Sequence, residues 1–405
     1  MYKITKLQKS KNKRCGSSDW SVGVLILGSR FRKLFYRKLE KEKSVALNRN
    51  YGNFDAEMIV SSGMREDLDW WIGNVHSQVR VIDRGNPDVE IQTDSSLSGW
   101  GVVFENQKFG GRWTAEECGY HINILELMAI FFALKALADK ITGKHVKILS
   151  DSTTAVCYIN NMGGIRSDKC NEVSKSIWLF CMAKDIWLSC AHIPGTQNEA
   201  DKPSRQFMDN IEWGLRKEDF NQICCIWQKP EIDLFASRLN NKLPVYCSWQ
   251  PDPFASYIDA FTIDWGKFTC SYIFPPFSTL GRCIRKVQTD EARAILIAPL
   301  WPTQGWFPLL LTTLVDNPVI LPRATQSLVS QGQLKHPMSQ KLVLIACKVS
   351  GVRSENEAFL KQQPALSCHH GEIPQNASMK CIFRDGYSSV IDSRLIQYQF
   401  LYKML

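Results

Sequence analysis

Residues 89–113 read VEIQTDSSLSGWGVVFENQKFGGRW, and this stretch decides the fold class. Residues 89–93 alternate apolar and polar side chains, which is the period of a half-buried strand. Two further strand-like segments, residues 99–104 and 109–113, are separated from their neighbours by the short, mostly polar stretches DSSLS at 94–98 and ENQK at 105–108. The stretch therefore predicts three antiparallel strands connected as a meander.

Downstream of the meander, helical and extended patterns alternate. The apolar-faced segment 121–137 predicts a long helix, and the short apolar run 146–149 predicts a buried strand. The remaining predicted elements are a helix at 152–161, a helix at 168–183, a strand at 186–193 and a short helix at 198–206. The resulting order is βββαβααβα. It predicts a mixed α/β fold, with a mixed sheet, over residues 88–207.

Upstream of the meander, the sequence is basic. Residues 1–50 hold 14 Lys and Arg against three Asp and Glu, whereas the rest of the chain carries a net charge of −2. We interpret residues 1–34 as a basic, irregular arm and residues 35–87 as a helical segment that ends at a Gly-Asn-Pro break. A basic arm suits a phosphate-rich partner, and a solubilising extension is an equally good interpretation.

Downstream, a second run of short apolar segments is separated by proline-rich turns, which predicts another α/β unit over residues 226–322. The segments are IDLFAS at 232–237, YIFPPF at 272–277, AILIAPLWP at 294–302 and NPVILP at 317–322. Residues 323–405 are rich in Ser and Gln and weakly patterned, so we expect little order there.

The bulk composition places the chain among globular proteins. It has 44% hydrophobic, 22% charged and 11% aromatic residues, and the aromatic content is too high for a disordered protein. No secretory leader is recognisable, and the longest N-terminal apolar run, residues 22–27, is too short to span a bilayer. The 14 cysteines show no regular framework. Reduced thiols in the cytoplasm or nucleus, with no membrane association, are the simplest expectation.

Four acidic residues fall at informative points of the first α/β unit. They are Asp94 after the first strand, Glu126 on the first helix, Asp151 after the fourth strand and Asp201 at the start of the last helix. Side chains at strand ends and on an adjoining helix can converge on one edge of a sheet. Any one of them alone is more simply a surface charge or a helix cap. The specificity of the signal lies in the four together.

A set of converging carboxylates is costly, because like charges repel and raise one another's pKa. Divalent cations between them would remove that cost, and ligands that are all oxygen favour Mg²⁺ or Mn²⁺. Two such ions, held about 4 Å apart, activate a water and stabilise the leaving oxygen in phosphodiester hydrolysis. The four residues therefore predict a two-metal site for Mg²⁺ or Mn²⁺.

The motifs around these acids resemble the ribonuclease H domain of reverse-transcribing elements, and are most similar to the DIRS-type retrotransposons that integrate through a tyrosine recombinase. The motifs are DSSLSGWG from Asp94, ILEL around Glu126, DST from Asp151 and ADKPSR around Asp201. The resemblance implies a ribonuclease H-like fold and assigns catalytic and metal-binding roles to Asp94, Glu126, Asp151 and Asp201. It implies the RNA strand of an RNA–DNA hybrid as substrate.

Two departures accompany this resemblance. Many ribonucleases H carry a histidine in the loop before the last acid, whereas residues 195–200 read GTQNEA. His192 lies earlier, on the predicted strand, and is better interpreted as structural. Asn198 could hydrogen-bond near the metals. Ser152 and Thr153 could meet the hybrid backbone, although helix capping explains them equally well.

The flanking regions extend the resemblance. Residues 35–88 are similar to the segment that joins the polymerase thumb to ribonuclease H in these elements. Neither a Tyr-x-Asp-Asp polymerase motif nor a tyrosine-recombinase motif occurs. A reverse transcriptase would then be a partner acting in trans. Residues 226–322 resemble a degenerate phage-type adenine-N6 methyltransferase, in which Phe274 replaces the polar residue before Pro-Pro and Phe277 could stack on a flipped base.

Two hypotheses of different classes follow. The first is a metal-dependent endonuclease that hydrolyses the RNA strand of RNA–DNA hybrids, as a part or remnant of a retrotransposon polyprotein. The second is a non-catalytic nucleic-acid-binding remnant or scaffold. The first requires the four carboxyl groups to cluster near a common point, and an Asp201 that points away would leave only binding.

Overall fold

The computed structural model describes residues 9–11, 30–31, 33–74, 76–77, 85–207, 213–330, 336–365 and 387–401. The chain forms two compact units, residues 1–207 and residues 208–405. Most of the predicted basic arm, residues 1–34, lies outside the described residues. In the described ranges no helix is long and apolar enough to cross a bilayer, and the cysteines carry free thiols.

The first unit begins with a small helical segment. Strand β1 (Lys9–Lys11) pairs antiparallel with β2 (Glu57–Ile59), and helices α1 (Arg37–Arg49) and α2 (Ser62–Asn74) flank β2. Residues 33–36 form turns ahead of α1. The short strand β2 was missed by the sequence analysis.

The five-stranded sheet of the first unit has the predicted mixed topology. Its spatial order is β5-β4-β3-β6-β7, antiparallel from β5 to β3 and parallel from β3 to β7. The strands are β3 (Val89–Ser95), β4 (Gly99–Phe104), β5 (Gln107–Arg112), β6 (His145–Ser150) and β7 (Trp187–His192).

Helices occupy the four predicted positions between and after these strands, and a fifth helix, of four residues, was not predicted. They are α3 (Ile122–Ala136), α4 (Ala138–Ile141), α5 (Thr153–Asn160), α6 (Asp168–Ala183) and α7 (Asp201–Arg205). Helix α3 is buried on most of its surface, which fits its continuous apolar sequence. Side chains of Ser152 and Ser167 cap α5 and α6, so the capping interpretation of Ser152 is confirmed. The predicted mixed α/β fold is thus confirmed.

The second unit is also α/β. Its strands are β8 (Trp213–Leu215), β9 (Ile232–Asp233), β10 (Cys247–Ser248), β11 (Tyr257–Ile258), β12 (Ser271–Ile273), β13 (Arg293–Pro299), β14 (Val319–Ile320), β15 (Leu328–Ser330), β16 (Leu344–Ser350), β17 (Ser388–Ile391), β18 (Arg394–Gln397) and β19 (Gln399–Phe400). Its helices are α8 (Lys217–Ile226), α9 (Leu280–Thr289), α10 (Phe307–Thr312), α11 (Ala324–Ser327) and α12 (Arg353–Gln362). The largest sheet runs β19-β14-β16-β13-β12-β9.

The expectation of little order beyond residue 322 is wrong for much of that region. Strand β16 lies inside the largest sheet, where it pairs antiparallel with both β13 and β14. Its residues are almost all buried, because both faces of the strand are covered. Residues 342–349 read LVLIACKV, an apolar run that indicates a buried strand although the residues around it are polar.

Candidate metal centre

Asp94 lies near the end of β3, the central strand of the first sheet. Its side chain is only 3% exposed, because the segment leading into α7 and α7 itself pack over this part of the sheet. Two donors, one on α7 and one in the segment before it, contact the carboxylate. Ser204 Oγ donates to Asp94 Oδ2 at 2.6 Å, and Asn198 Nδ2 lies 3.4 Å from Asp94 Oδ1.

Glu126 projects from the first half of α3, a helix that the His121 side chain caps. The residue is 6% exposed, and the backbone N–H of Ser95 donates a hydrogen bond to its carboxylate. The other oxygen, Oε2, is buried and has no hydrogen-bond partner among the described residues. A buried carboxylate oxygen without a partner is expensive and calls for an explanation.

Asp151 follows β6 directly and is partly exposed. Since β3 and β6 are parallel neighbours, their carboxyl ends bring Asp94 and Asp151 to the same edge of the sheet. Each of Asp94, Glu126 and Asp151 offers one carboxylate oxygen, and these oxygens lie within 4.8 Å of one another. Three of the four predicted acids therefore converge.

The pKa values of two of these carboxyl groups are raised. Burial, followed by the charges of Asp94 and Asp151, raises the pKa of Glu126 to about 9. Burial also raises the pKa of Asp94 to about 6, the hydrogen bond from Ser204 opposes that rise, and the charges of Asp151 and Asp201 add to it. A positive charge nearby would lower the pKa of both carboxyl groups and stabilise their ionised forms.

The donor set fits a hard divalent cation. All three residues offer carboxylate oxygens, which Mg²⁺ and Mn²⁺ prefer. The unpartnered Oε2 of Glu126 is the atom that such an ion would satisfy, and its charge would offset the mutual repulsion of the three acids. The number of ions and their identity remain predictions.

Asp201 occupies the first residue of α7, as predicted, but it is not part of the 4.8 Å group. Its Oδ1 accepts a hydrogen bond from Arg205 Nε at 2.7 Å, one turn along the helix, and its side chain is 47% exposed. Asp201 is nevertheless near enough for its charge to raise the pKa of Asp94. It lies beside the centre and is paired with a cation of the protein itself.

Two supporting residues emerge from the structure. Asn198 had been singled out as a neighbour of the metals, and its amide bridges Thr93 O and Asp94. Ser204 was missed, although it stands inside the ADKPSR motif, because only the fold brings it to a strand 110 residues away. Arg205, in the same motif, was also missed as the partner of Asp201.

The other residues considered from the sequence have simple positions. His192 is the last residue of β7 and is exposed, opposite Ser150 in the adjacent strand. Trp100, Trp113 and Trp178 are buried in the core.

No protein-family model and no curated protein matches the chain. Among solved structures, it is similar to ribonuclease H1 of Halobacterium salinarum, at 20% identity over 28% of this chain and 89% of that one, with a TM-score of 0.22. It is similar to ribonuclease H1 LC11 isolated from compost, at 22% identity over 29% and 93%, with a TM-score of 0.25. It is also similar to a foamy viral protease-reverse transcriptase in complex with an RNA/DNA hybrid, at 12% identity over 45% and 27%, with a TM-score of 0.21.

Proposed function

We propose that this protein is a ribonuclease H, a metal-dependent endonuclease that hydrolyses the RNA strand of RNA–DNA hybrids. The observation that carries the proposal is the convergence of Asp94, Glu126 and Asp151 within 4.8 Å. The proposal adds to this geometry the ordered motifs around the acids, which resemble those of ribonuclease H domains in retroelements.

Asp94, Glu126 and Asp151 would hold the metal. Asp201 would become the fourth ligand when its carboxylate leaves Arg205 and binds the metal ion instead. Divalent ions held by these residues would supply an activated water and would stabilise the leaving oxygen of the phosphodiester. In the metal-free protein the Glu126 carboxyl holds a proton at neutral pH, since its pKa is about 9. That proton has to leave before Glu126 can act as a ligand.

The remaining residues orient this set. Ser204 and Asn198 fix the rotation of the Asp94 carboxylate from one side, and the Ser95 amide fixes Glu126 from the other. Recognition of an RNA–DNA hybrid would rest on its backbone and its 2′-hydroxyls, so little sequence preference is expected.

The wider context is part of the same proposal. The chain would be a part or remnant of a DIRS-type retrotransposon polyprotein, working with a reverse transcriptase in trans in the cytoplasm or nucleus. Residues 35–87 would be its polymerase-connecting segment, and the basic residues of 1–34 would add affinity for the nucleic-acid backbone. Residues 226–322 would descend from an adenine methyltransferase whose polar residue has become the buried Phe274.

Cleavage of a labelled RNA–DNA hybrid by the purified full-length protein tests the proposal. We expect RNA-strand cleavage in Mg²⁺ or Mn²⁺, loss of cleavage in Asp94→Asn and Glu126→Gln, and wild-type cleavage in Glu172→Gln, which alters an exposed acid of α6. Absence of cleavage in both metals, by folded protein that still binds the hybrid, contradicts a nuclease.

The second candidate function is a non-catalytic protein that binds nucleic acid. The observation that favours it is the ion pair between Asp201 and Arg205, which keeps the fourth acid out of the cluster. The same experiment separates the two. A binding protein would leave the RNA strand uncleaved in either metal, and it would bind the hybrid equally well with Asp94 or with Asn at that position.

A further inference from the structure

The second unit contains a cavity of about 230 Å³ that the candidate metal centre does not involve. Strand β9 pairs in parallel with β12, and Asp233 of β9 forms a parallel bridge to Tyr246, next to β10. Strands β10 and β11 are parallel as well. The segments that line the cavity come largely from the residues just after these four strands. Such a crevice, at the carboxyl ends of parallel strands, is where open α/β sheets generally bind ligands.

Aromatic rings make up much of the cavity wall. They belong to Trp213, Phe235, Trp249, Phe261 and Phe274. Phe235 and Phe261 meet edge to face, with centroids 5.7 Å apart. Phe261 presents only one face to a ligand, because the Arg282 guanidinium lies 3.6 Å from its centroid. The cavity is larger than the engineered cavity of about 150 Å³ that holds benzene, so a compact organic group fits.

A single charged side chain, Asp259, lines this apolar cavity among the described residues. Its Oδ1 accepts a hydrogen bond from the backbone N–H of Phe261 at 3.0 Å. Among the described residues that line the cavity none is basic, so none of them can pair with the Asp259 carboxylate. The backbone of Asp259 has φ of 57°, in the left-handed region that a non-glycine residue seldom adopts. The fold thus places a carboxylate at an aromatic wall that has no cationic side chain among its described lining residues.

We propose that this cavity binds a small organic cation with apolar substituents, of the methylated ammonium class. Aromatic faces attract such a cation through the ring quadrupole, and they bury its methyl groups without demanding hydrogen bonds. The Asp259 carboxylate completes the charge balance. An anionic ligand, such as a nucleotide phosphate, would meet this carboxylate and no cation in the described lining.

Calorimetric titration of the full-length protein tests the charge requirement, with choline as the probe and 3,3-dimethylbutan-1-ol as its uncharged isostere. We expect choline to bind and the isostere to bind at least about tenfold more weakly. Equal affinities, or no binding of choline at millimolar concentration, overturn the proposal. Binding of adenosine that is tighter than that of choline overturns it as well.

Two variants locate the binding. Asp259→Asn keeps the acceptor for Phe261 N–H and removes only the charge, so choline affinity should fall about tenfold. Asp264→Asn is the matched control, since Asp264 is exposed and likewise accepts from a backbone N–H two residues on, that of Gly266. Trp249→Leu should also weaken choline, and folding is not at risk because Trp249 is 52% exposed. Unchanged affinity in both Asp259→Asn and Trp249→Leu places the ligand elsewhere and overturns the proposal.

Discussion

Glu126 shows what the candidate metal centre costs the protein. The residue is buried beside two other carboxylates, and its Oε2 has no partner among the described residues. Burial and the two charges raise its pKa to about 9, from an ordinary value of 4.5. The folded, metal-free protein therefore retains a proton on Glu126 over a pH range in which the unfolded chain has lost it.

This difference sets a pH dependence. Stability from the retained proton is fully present below the unfolded pKa of Glu126 and is lost as the pH rises through its folded pKa. We therefore expect the free energy of unfolding in EDTA to fall between about pH 5 and about pH 9, by an amount on the order of a few kcal/mol. The melting temperature should fall with it. Glu126→Gln should flatten the profile, because glutamine does not titrate.

Thermal unfolding by circular dichroism in EDTA measures this profile. Glu172→Gln, at an exposed position on α6, is the control and should keep the wild-type slope. Adding Mn²⁺ at about pH 8 should raise the melting temperature of the wild type more than that of Glu126→Gln. A wild-type profile as flat as that of Glu126→Gln would show that Glu126 is not buried among charges.

At the scale of elements, α7 is the part of the site that depends most on its surroundings. It has only five residues, too few for a helix that is stable by itself. Its position comes from close packing on the sheet. A Cβ on Gly101 of β4 would collide with the carbonyl oxygen of Ala200 and the amide nitrogen of Ser204. A hydrogen bond from Ser96 Oγ to Ser204 O, 2.7 Å long, adds to this docking.

Gly101→Ala should therefore push α7 away from the sheet. We expect a destabilisation of about 1–3 kcal/mol, as for an overpacked core, together with weaker Mn²⁺ binding because Ser204 no longer holds Asp94. Denaturant unfolding and calorimetry with Mn²⁺ measure the two effects. Gly119→Ala is the matched control, since no atom lies within 4 Å of its added Cβ. If Gly101→Ala binds Mn²⁺ as the wild type does, α7 plays no part in the metal centre.

The same element shows how far the sequence could predict the site. The ends of the strands before Asp94 and Asp151 could be located from the sequence, which predicted that the two acids can meet at one edge of the sheet, and the parallel pairing of β3 with β6 brings them there. The bond from Ser204 to Asp94 could not be predicted, because it depends on the depth at which α7 docks. The ion pair between Asp201 and Arg205 could not be predicted either, because it depends on the rotamers of the two side chains. In the second unit, β16 was not predicted because its neighbours in the sequence are polar, although five of its own seven residues are apolar.

For the first unit as a whole, the sequence divided residues 35–87 from residues 88–207, and the structure packs the two ranges around a common core. Phe31, Leu34 and Phe35 belong to the same buried cluster as Trp178 on α6. Trp71 of α2 is fully buried, and its Nε1 donates to the carbonyl of Phe35 at 3.0 Å. The N-terminal helical segment therefore covers apolar surface that α6 would otherwise expose to water.

A fragment of residues 30–207 should consequently fold cooperatively, whereas a fragment of residues 88–207 should be much less stable. Burying one large side chain contributes about 1.5–3 kcal/mol, and several such side chains of the N-terminal segment share this core. Thermal unfolding and binding of a hydrophobic dye distinguish the fragments, since exposed Trp178 and its neighbours would bind the dye. Equal melting temperatures would mean that residues 30–74 contribute nothing to the core. The boundary at residue 88 would then describe an independent domain, which the burial of Trp71 argues against.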